Sequence, residues 1–268
     1  MIISDCHNHT SFSADSDASG ESMIEQAISL GLSYLCITDH MDPETNYPAL
    51  NFSFNLQKYF QKHQEWKDRY GQQICLLTGI ELGLQPHIGS TLSEILSAGA
   101  FDFVIGSAHV CDGIDSSLPE YWTGKSETAA TRRYFEYILE CIQAFDDIDT
   151  LGHLDYIVRY GPTKAENYSY QIYKEIIDEI LKTLISKNIG LELNTAGLKY
   201  GLGFAHPHLD VLKRYRELGG ELLTIGSDGH RPEHLAYDFQ KVPEILQAAG
   251  FSHYTIFRNR TPEFISLT

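Results

Sequence analysis

The chain has 268 residues, of which 43% are hydrophobic and 21% charged, as in globular proteins with a sizeable core. Its formal net charge of −16 argues against nucleic acid or an anionic membrane as the main partner. The N-terminus has no basic segment followed by a long apolar one, and no apolar run could span a bilayer, so we expect a cytoplasmic protein.

Apolar runs of strand length alternate with helical stripes along the whole chain. Strands are predicted at residues 2–6, 34–38, 74–80, 101–107, 148–151, 189–194 and 222–227. The first helix is predicted from a capping box at Ser22 and ends at Gly31, and the second begins after Asn55. Further helices are predicted near 91–98, 127–145, 170–186, 209–218 and 242–249. Residues 41–54, 110–125, 161–168 and 195–207 are predicted to be loops, and a short apolar segment at 254–257 closes the chain.

This pattern gives seven strand–helix units with no break in composition, which predicts one α/β domain over residues 1–268. The parallel sheet could be open or closed into a barrel. Polar residues follow six of the seven strands, and a barrel brings all strand ends to one rim. We therefore predict a distorted (β/α)7 TIM-like barrel. The pattern distinguishes a barrel from an open sheet more clearly than it distinguishes seven units from eight.

The polar residues at the strand ends are mostly histidines and carboxylates. In an extended chain the side chains of His7 and His9 point to the same side and can hold one ion. The complete predicted set of metal ligands, with Asp15 from the first loop, is His7, His9, Asp15, His40, Glu81, His109, His153, Asp228 and His230.

This donor set predicts two or three divalent ions. Imidazole and carboxylate ligands suit Zn, Mn, Fe or Co, and the absence of cysteine ligands argues against a purely structural zinc site.

The five cysteines are odd in number and form no CxxC pair, so we interpret them as buried hydrophobic side chains. The other histidines do not follow strands, and ordinary polar roles are expected for them.

The ordered motifs resemble those of the PHP (polymerase and histidinol phosphatase) superfamily of metal-dependent phosphoesterases. The resemblance rests on His7-x-His9, on the strand ends that reach His40, Glu81, His109 and His153, and on 226–230. It implies a distorted (β/α)7 barrel with a trinuclear metal site. Chain length and residues 192–198 resemble the histidinol-phosphate phosphatase branch, which hydrolyses L-histidinol phosphate to L-histidinol and phosphate in histidine biosynthesis.

One position departs from the family pattern, because some members have histidine where this chain has Asp15. Aspartate can also bind a metal ion, so the third metal position is expected to be kept with an altered metal preference. Asp17 is an alternative ligand at this position, or a residue that contacts the substrate.

The expected mechanism is attack on phosphorus by a hydroxide that the metal ions generate, with no phosphoenzyme. Asp228 or His230 could transfer the proton that the leaving alkoxide needs. Arg159 is the first candidate for binding phosphate, followed by Lys199 and Arg231. Candidate acceptors for the ammonium and imidazole groups of the substrate are Asp17, Glu120 and Asn194.

Three alternatives stay open from the sequence. A phosphatase of the same kind could act on phosphotyrosine or another small phosphoester, and the loops at 41–54, 110–125 and 161–168 would decide. An amidohydrolase-type site is disfavoured because no lysine ends a predicted strand. A non-enzymatic protein that binds divalent metal is the third alternative.

Overall fold

Seven parallel strands form the centre of the fold. The structure is a computed structural model that describes residues 2–44 and 52–267, so 45–51 of the predicted 41–54 loop lie outside the described residues. Each strand pairs in parallel with the next along the chain. They are β1 (Ser4–Asp5), β2 (Tyr34–Ile37), β3 (Cys75–Gly83), β4 (Phe103–Ser107), β5 (Thr150–Leu151), β6 (Gly190–Asn194) and β7 (Leu223–Gly226).

Main-chain contacts bring the first and last strands together. The amide of Cys6 donates to the carbonyl of Ile225 at 3.0 Å, and the amide of Asp228 donates to the carbonyl of His7 at 2.9 Å. An isolated parallel bridge joins Asn8 to Gly229 just beyond the strand ends. The sheet is therefore a nearly closed seven-stranded barrel, which confirms the predicted fold and the predicted strand count.

Helices surround this barrel and bury their apolar stripes against it. The predicted apolar stripe of the long sixth helix is Ile172, Ile176, Ile180 and Leu184, of which the last three are buried and Ile172, in the first turn, is 44% exposed. No helix among residues 2–44 and 52–267 is long and apolar enough to cross a membrane. The helices are α1 (Gly20–Ser29), α2 (Leu56–Tyr70), α3 (Gly89–Ser97), α4 (Pro119–Trp122), α5 (Glu127–Ala144), α6 (Tyr170–Ser186), α7 (Ala196–Lys199), α8 (Leu209–Glu217) and α9 (Val242–Ala248).

The first helix begins before the predicted capping box. Ser19 is the N-cap, and its hydroxyl accepts a hydrogen bond from the amide of Ser22 at 3.1 Å. The hydroxyl of Ser22 instead donates to the carbonyl of Ser19 at 2.8 Å, so Ser22 lies inside the helix and the prediction of a cap there was wrong. Gly31 follows the helix with φ of +75°, and the Asn55 side chain caps α2, both as predicted.

Short elements occupy segments that were predicted as loops. Residues 110–125 contain a small hairpin, Val110–Cys111 with Ile114–Asp115, followed by α4, and residues 195–207 contain α7. The closing apolar segment is one strand of an antiparallel hairpin formed by β8 (His253–Arg258) and β9 (Thr261–Ser266). The hairpin strands at 110–115 and the helices α4 and α7 have only two to four residues, which is too short to show a periodic pattern and explains why they were not predicted.

His63 lies on the buried face of α2 between the rings of Tyr59 and Trp66. Burial, with a smaller effect from Lys67, lowers the pKa of His63 from 6.5 to about 3. His63 is therefore protonated below about pH 6.5 in the unfolded chain but only below about pH 3 in the folded chain. The unfolded state is favoured as pH falls below 6.5, so the unfolding free energy decreases.

We expect the metal-free wild-type protein to lose about 2 kcal/mol more unfolding free energy than His63→Leu between pH 6.5 and pH 5. Urea unfolding of both proteins at several pH values measures this difference. Because the metal ligands are identical in the two proteins, their titration cancels in the comparison. Parallel pH profiles would contradict the account of a buried neutral imidazole.

Candidate metal centre

Glu81, near the C-terminal end of β3, lies among five of the predicted histidines, and His9 Nε2 is 3.6 Å from its Oε2 atom. Its Oε2 atom is 3.1 Å from His7 Nε2 and 2.9 Å from His40 Nδ1. Its Oε1 atom is 3.0 Å from His153 Nε2 and 3.3 Å from His109 Nε2. Since Oε2 faces three of these rings and Oε1 faces the other two, this carboxylate is placed to bridge two ions.

Asp228 and Asp15 extend the cluster towards the cavity. Asp228 Oδ1 lies 3.4 Å from His9 Nε2 and 3.4 Å from His230 Nδ1. Asp15 Oδ2 lies 3.1 Å from His230 Nε2 and 3.7 Å from His40 Nε2. The structure thus brings together all nine residues that were predicted as metal ligands, from seven separate segments of the chain.

Several atoms that could bind a metal ion are buried at the centre but form no hydrogen bond within the described part of the chain. They are His7 Nε2, His9 Nε2, His40 Nδ1 and Glu81 Oε2. These atoms approach one another closely without the angles of a hydrogen bond, which is the arrangement of lone pairs directed at a shared cation. Triads with donor atoms within 4.8 Å are His7, His9, Glu81; Glu81, His109, His153; His9, His40, His230; and His40, Asp42, His109. The donor set therefore fits borderline divalent metals.

The electrostatics of the centre favour bound positive charge. Burial opposes ionisation of Glu81, but His7, His40 and His109 hold the pKa of this carboxyl well below its usual range. Burial would lower the pKa of His40, but Glu81 and Asp15 raise it to about 9. The carboxylates therefore stay anionic in the interior and require compensating cations.

The main chain at Asp228 adopts a left-handed conformation, with φ of +54°. Such a conformation is uncommon for a residue with a side chain and occurs often at functional sites. Two contacts hold it, because the Asp228 amide donates to the His7 carbonyl and Lys199 Nζ donates to the Asp228 carbonyl at 2.8 Å. This turn directs the carboxylate back towards His9 and His230.

A cavity of about 380 Å³ opens beside the cluster. The guanidinium of Arg159 lies on its wall, packed against the rings of Tyr156, Tyr160 and Tyr200. Arg159 Nη2 donates to Tyr160 Oη at 2.6 Å, whereas Nη1 is buried and has no hydrogen-bond partner in the described structure. A fixed cation on the wall of the cavity suits an anionic ligand.

The other predicted substrate residues fall in different places. Arg231 lines the cavity, whereas Lys199 does not, since its ammonium bonds the carbonyls of Ser227 and Asp228. Asn194 is fully buried, with its amide group on Glu192 and its oxygen on the amide of Ala196. Asp17 and Glu120 are exposed and do not line the cavity.

Sequence reasoning missed residues that lie behind the ligands or across the cavity. Glu192 and Asp42 contact ligand histidines, and Asp115 lines the cavity that also holds Arg159. A signal existed for two of them. Glu192 is a charged residue within an apolar strand, and Asp42 follows His40 at the same two-residue spacing that joins His7 and His9.

A family model for the PHP domain matches residues 5–196. The chain belongs to the PHP domain family. This member is 32% identical to the histidinol-phosphatase of Lactococcus lactis subsp. lactis, over 94% of this chain and 93% of the relative.

Solved structures agree with this membership. The PHP barrel described here superposes with a TM-score of 0.89 and 31% identity on histidinol phosphate phosphatase from Lactococcus lactis subsp. lactis, complexed with zinc, L-histidinol and phosphate. That match covers 97% of this chain and 98% of the other. A protein from Listeria monocytogenes shares the fold, with a TM-score of 0.79 and 20% identity over 89% of this chain and 99% of its own.

Proposed function

We propose that this PHP protein is a metal-dependent phosphomonoesterase that hydrolyses L-histidinol phosphate to L-histidinol and phosphate in histidine biosynthesis. The observation that carries the proposal is the set of buried, unpaired donor atoms around Glu81 beside a cavity that holds Arg159. The relative from Lactococcus lactis, which bears the name of this enzyme, supports the choice of substrate. A small phosphorylated metabolite is the proposed partner, without nucleic acid or membrane.

The nine-residue cluster would hold two or three divalent ions, drawn from Zn, Mn, Fe or Co. Glu81 would bridge a position formed with His7 and His9 and another formed with His109 and His153. Asp15, His40, Asp228 and His230 complete the set. When bound, such ions lower the pKa of water into the physiological range and polarise phosphoryl oxygens.

The chain's own residues would bind and orient the ester. The guanidinium of Arg159 would bind a phosphoryl oxygen, and Arg231, which also lines the cavity, would add positive charge. Asp228 or His230, which border the cavity, would deliver the proton that the departing alkoxide requires. Asp115, which also lines the cavity, would offer a carboxylate to the ammonium group of the substrate.

Phosphate release from L-histidinol phosphate and from tyrosine phosphate, measured side by side in oxygen-18 water, tests this function. We expect fast, selective release from L-histidinol phosphate, with one oxygen-18 atom in the phosphate and no phosphorylated side chain. Preference for tyrosine phosphate would overturn the substrate, and a phosphorylated residue would overturn direct attack. Metal-loaded protein that releases phosphate from neither ester would overturn the enzymatic function in favour of a metal-binding protein.

A further inference from the structure

Three of the histidines at the metal centre are held from behind by groups that are not themselves among the nine ligands. An imidazole has two ring nitrogens that point in different directions, so a partner on Nδ1 fixes where Nε2 points. His7, His9 and His109 each have such a partner on Nδ1. His153 differs, since its Nδ1 atom is buried without a partner in the described structure.

Glu192 is the partner of His7. Its Oε1 atom lies 2.6 Å from His7 Nδ1, and its Oε2 atom accepts from the amide of His153 at 2.8 Å and from Asn194 Nδ2 at 3.1 Å. Gly226 leaves space for this carboxylate because it has no side chain. A Cβ atom at that position would lie only 2.5 Å from Glu192 Oε1. Both carboxylate oxygens of Glu192 therefore have hydrogen-bond partners inside the barrel, and one of them fixes the Nδ1 side of the His7 ring.

Asp42 is the partner of His109. Its Oδ2 atom lies 2.7 Å from His109 Nδ1, while His109 Nε2 faces Glu81 at 3.3 Å. Asp42 therefore lies on the far side of the ring from Glu81, behind the ligand rather than beside it. Space for it is again provided by a glycine, since a Cβ atom at Gly83 would lie 2.5 Å from Asp42 Cγ.

Ser13 and Asp39 act together on His9. The Ser13 hydroxyl donates its single hydrogen to Asp39 Oδ1 at 2.8 Å and accepts from the amide of His40 at 2.9 Å. Its 3.1 Å contact with His9 Nδ1 must therefore be one in which the imidazole donates. A carboxylate also only accepts, so His7 and His109 carry their proton on Nδ1 as well.

We propose that Glu192, Asp42 and the Ser13–Asp39 pair are positioning residues that present the bare Nε2 atoms of His7, His109 and His9 to the metal ions. This inference rests on the metal site of the proposed function. Because the partners fix both ring orientation and tautomer, they raise metal affinity through the histidines that they hold. The carboxylates of Glu192 and Asp42 also offset part of the positive charge that the ions bring into the barrel.

The test is competition for Zn²⁺ between the full-length protein and a chromogenic chelator. We expect Glu192→Gln and Asp42→Asn each to weaken Zn²⁺ binding by about 10–100-fold, and Ser13→Ala by about 10-fold. Asp178→Asn is the matched control, because Asp178 is a buried carboxylate that bonds Tyr170 and Arg214 on the outer layer. This control is expected to change thermal stability but not Zn²⁺ affinity.

The outcomes distinguish a failure of the proposed function from a failure of the positioning roles alone. Wild-type protein that binds no Zn²⁺ would overturn the proposed function, and the positioning roles with it. Tight binding by wild-type and unchanged affinity in folded Glu192→Gln and Asp42→Asn would overturn only the positioning roles. If either carboxylate variant does not fold, Ser13→Ala decides, because it removes one hydroxyl, and wild-type affinity in that variant would contradict the inference.

Discussion

Glu81→Gln is expected to remove bound metal and to lower kcat for phosphate release by about 10³-fold. Glutamine has nearly the same shape as glutamate but carries no charge, and it places N–H donors among ring nitrogens that need a cation. The two oxygens of Glu81 face two different groups of histidines, so one substitution is expected to disturb two metal positions. Elemental analysis and steady-state kinetics on the same preparation measure both effects.

Glu65→Gln is the matched control for this prediction. Glu65 is an exposed residue of α2 that pairs with Lys62, and its loss should leave metal content and kcat unchanged. Circular dichroism would establish that Glu81→Gln is folded. A folded Glu81→Gln protein with wild-type metal content and turnover would show that Glu81 is not a bridging ligand.

Arg159→Met is expected to lower kcat/KM for L-histidinol phosphate by about 10²-fold. Its guanidinium is held by three tyrosine rings and has a buried donor, Nη1, with no partner in the described structure. Arg159→Lys keeps the charge but loses the planar arrangement of donors, so we expect its KM to rise by about 10-fold. Initial rates over a range of substrate concentrations separate these effects.

The matched control is Arg132→Met on the outer face of α5, where Arg132 Nη2 bonds the carbonyl of Ile172. Metal content should be wild-type in all three arginine variants, because Arg159 contacts none of the nine ligands directly. An unchanged KM in Arg159→Lys together with an unchanged kcat/KM in Arg159→Met would remove Arg159 from the phosphate site.

The barrel and the ligand cluster could be predicted because both depend on local patterns. Each apolar run that ended in His40, Glu81, His109 or His153 indicated a strand end, and parallel strands place such ends on one rim. Asp15 could be assigned only as one of two aspartates in a polar loop, since nothing in the spacing separates it from Asp17. The distance of 3.1 Å between Asp15 and His230 comes from the closure of the barrel.

Contacts between distant segments could not be predicted. Glu192 is 185 positions from His7, and its role depends on β6 and β7 closing against β1. Lys199 was expected to bind phosphate on the strength of its charge, but its ammonium bonds main-chain carbonyls that become available only when Asp228 takes its left-handed turn. The charge of Glu192 within an apolar strand marks it as unusual, but charge and spacing do not identify His7 as its partner or the Asp228 carbonyl as the partner of Lys199.

The most direct test of the central claim is metal removal followed by reconstitution. Protein purified without added chelator should contain more than one divalent metal ion per chain by elemental analysis and should hydrolyse L-histidinol phosphate. Dialysis against a strong chelator should abolish turnover, and stoichiometric Zn²⁺ or Mn²⁺ should restore it. Protein shown to be free of metal that still hydrolyses the ester at the original rate would contradict the account.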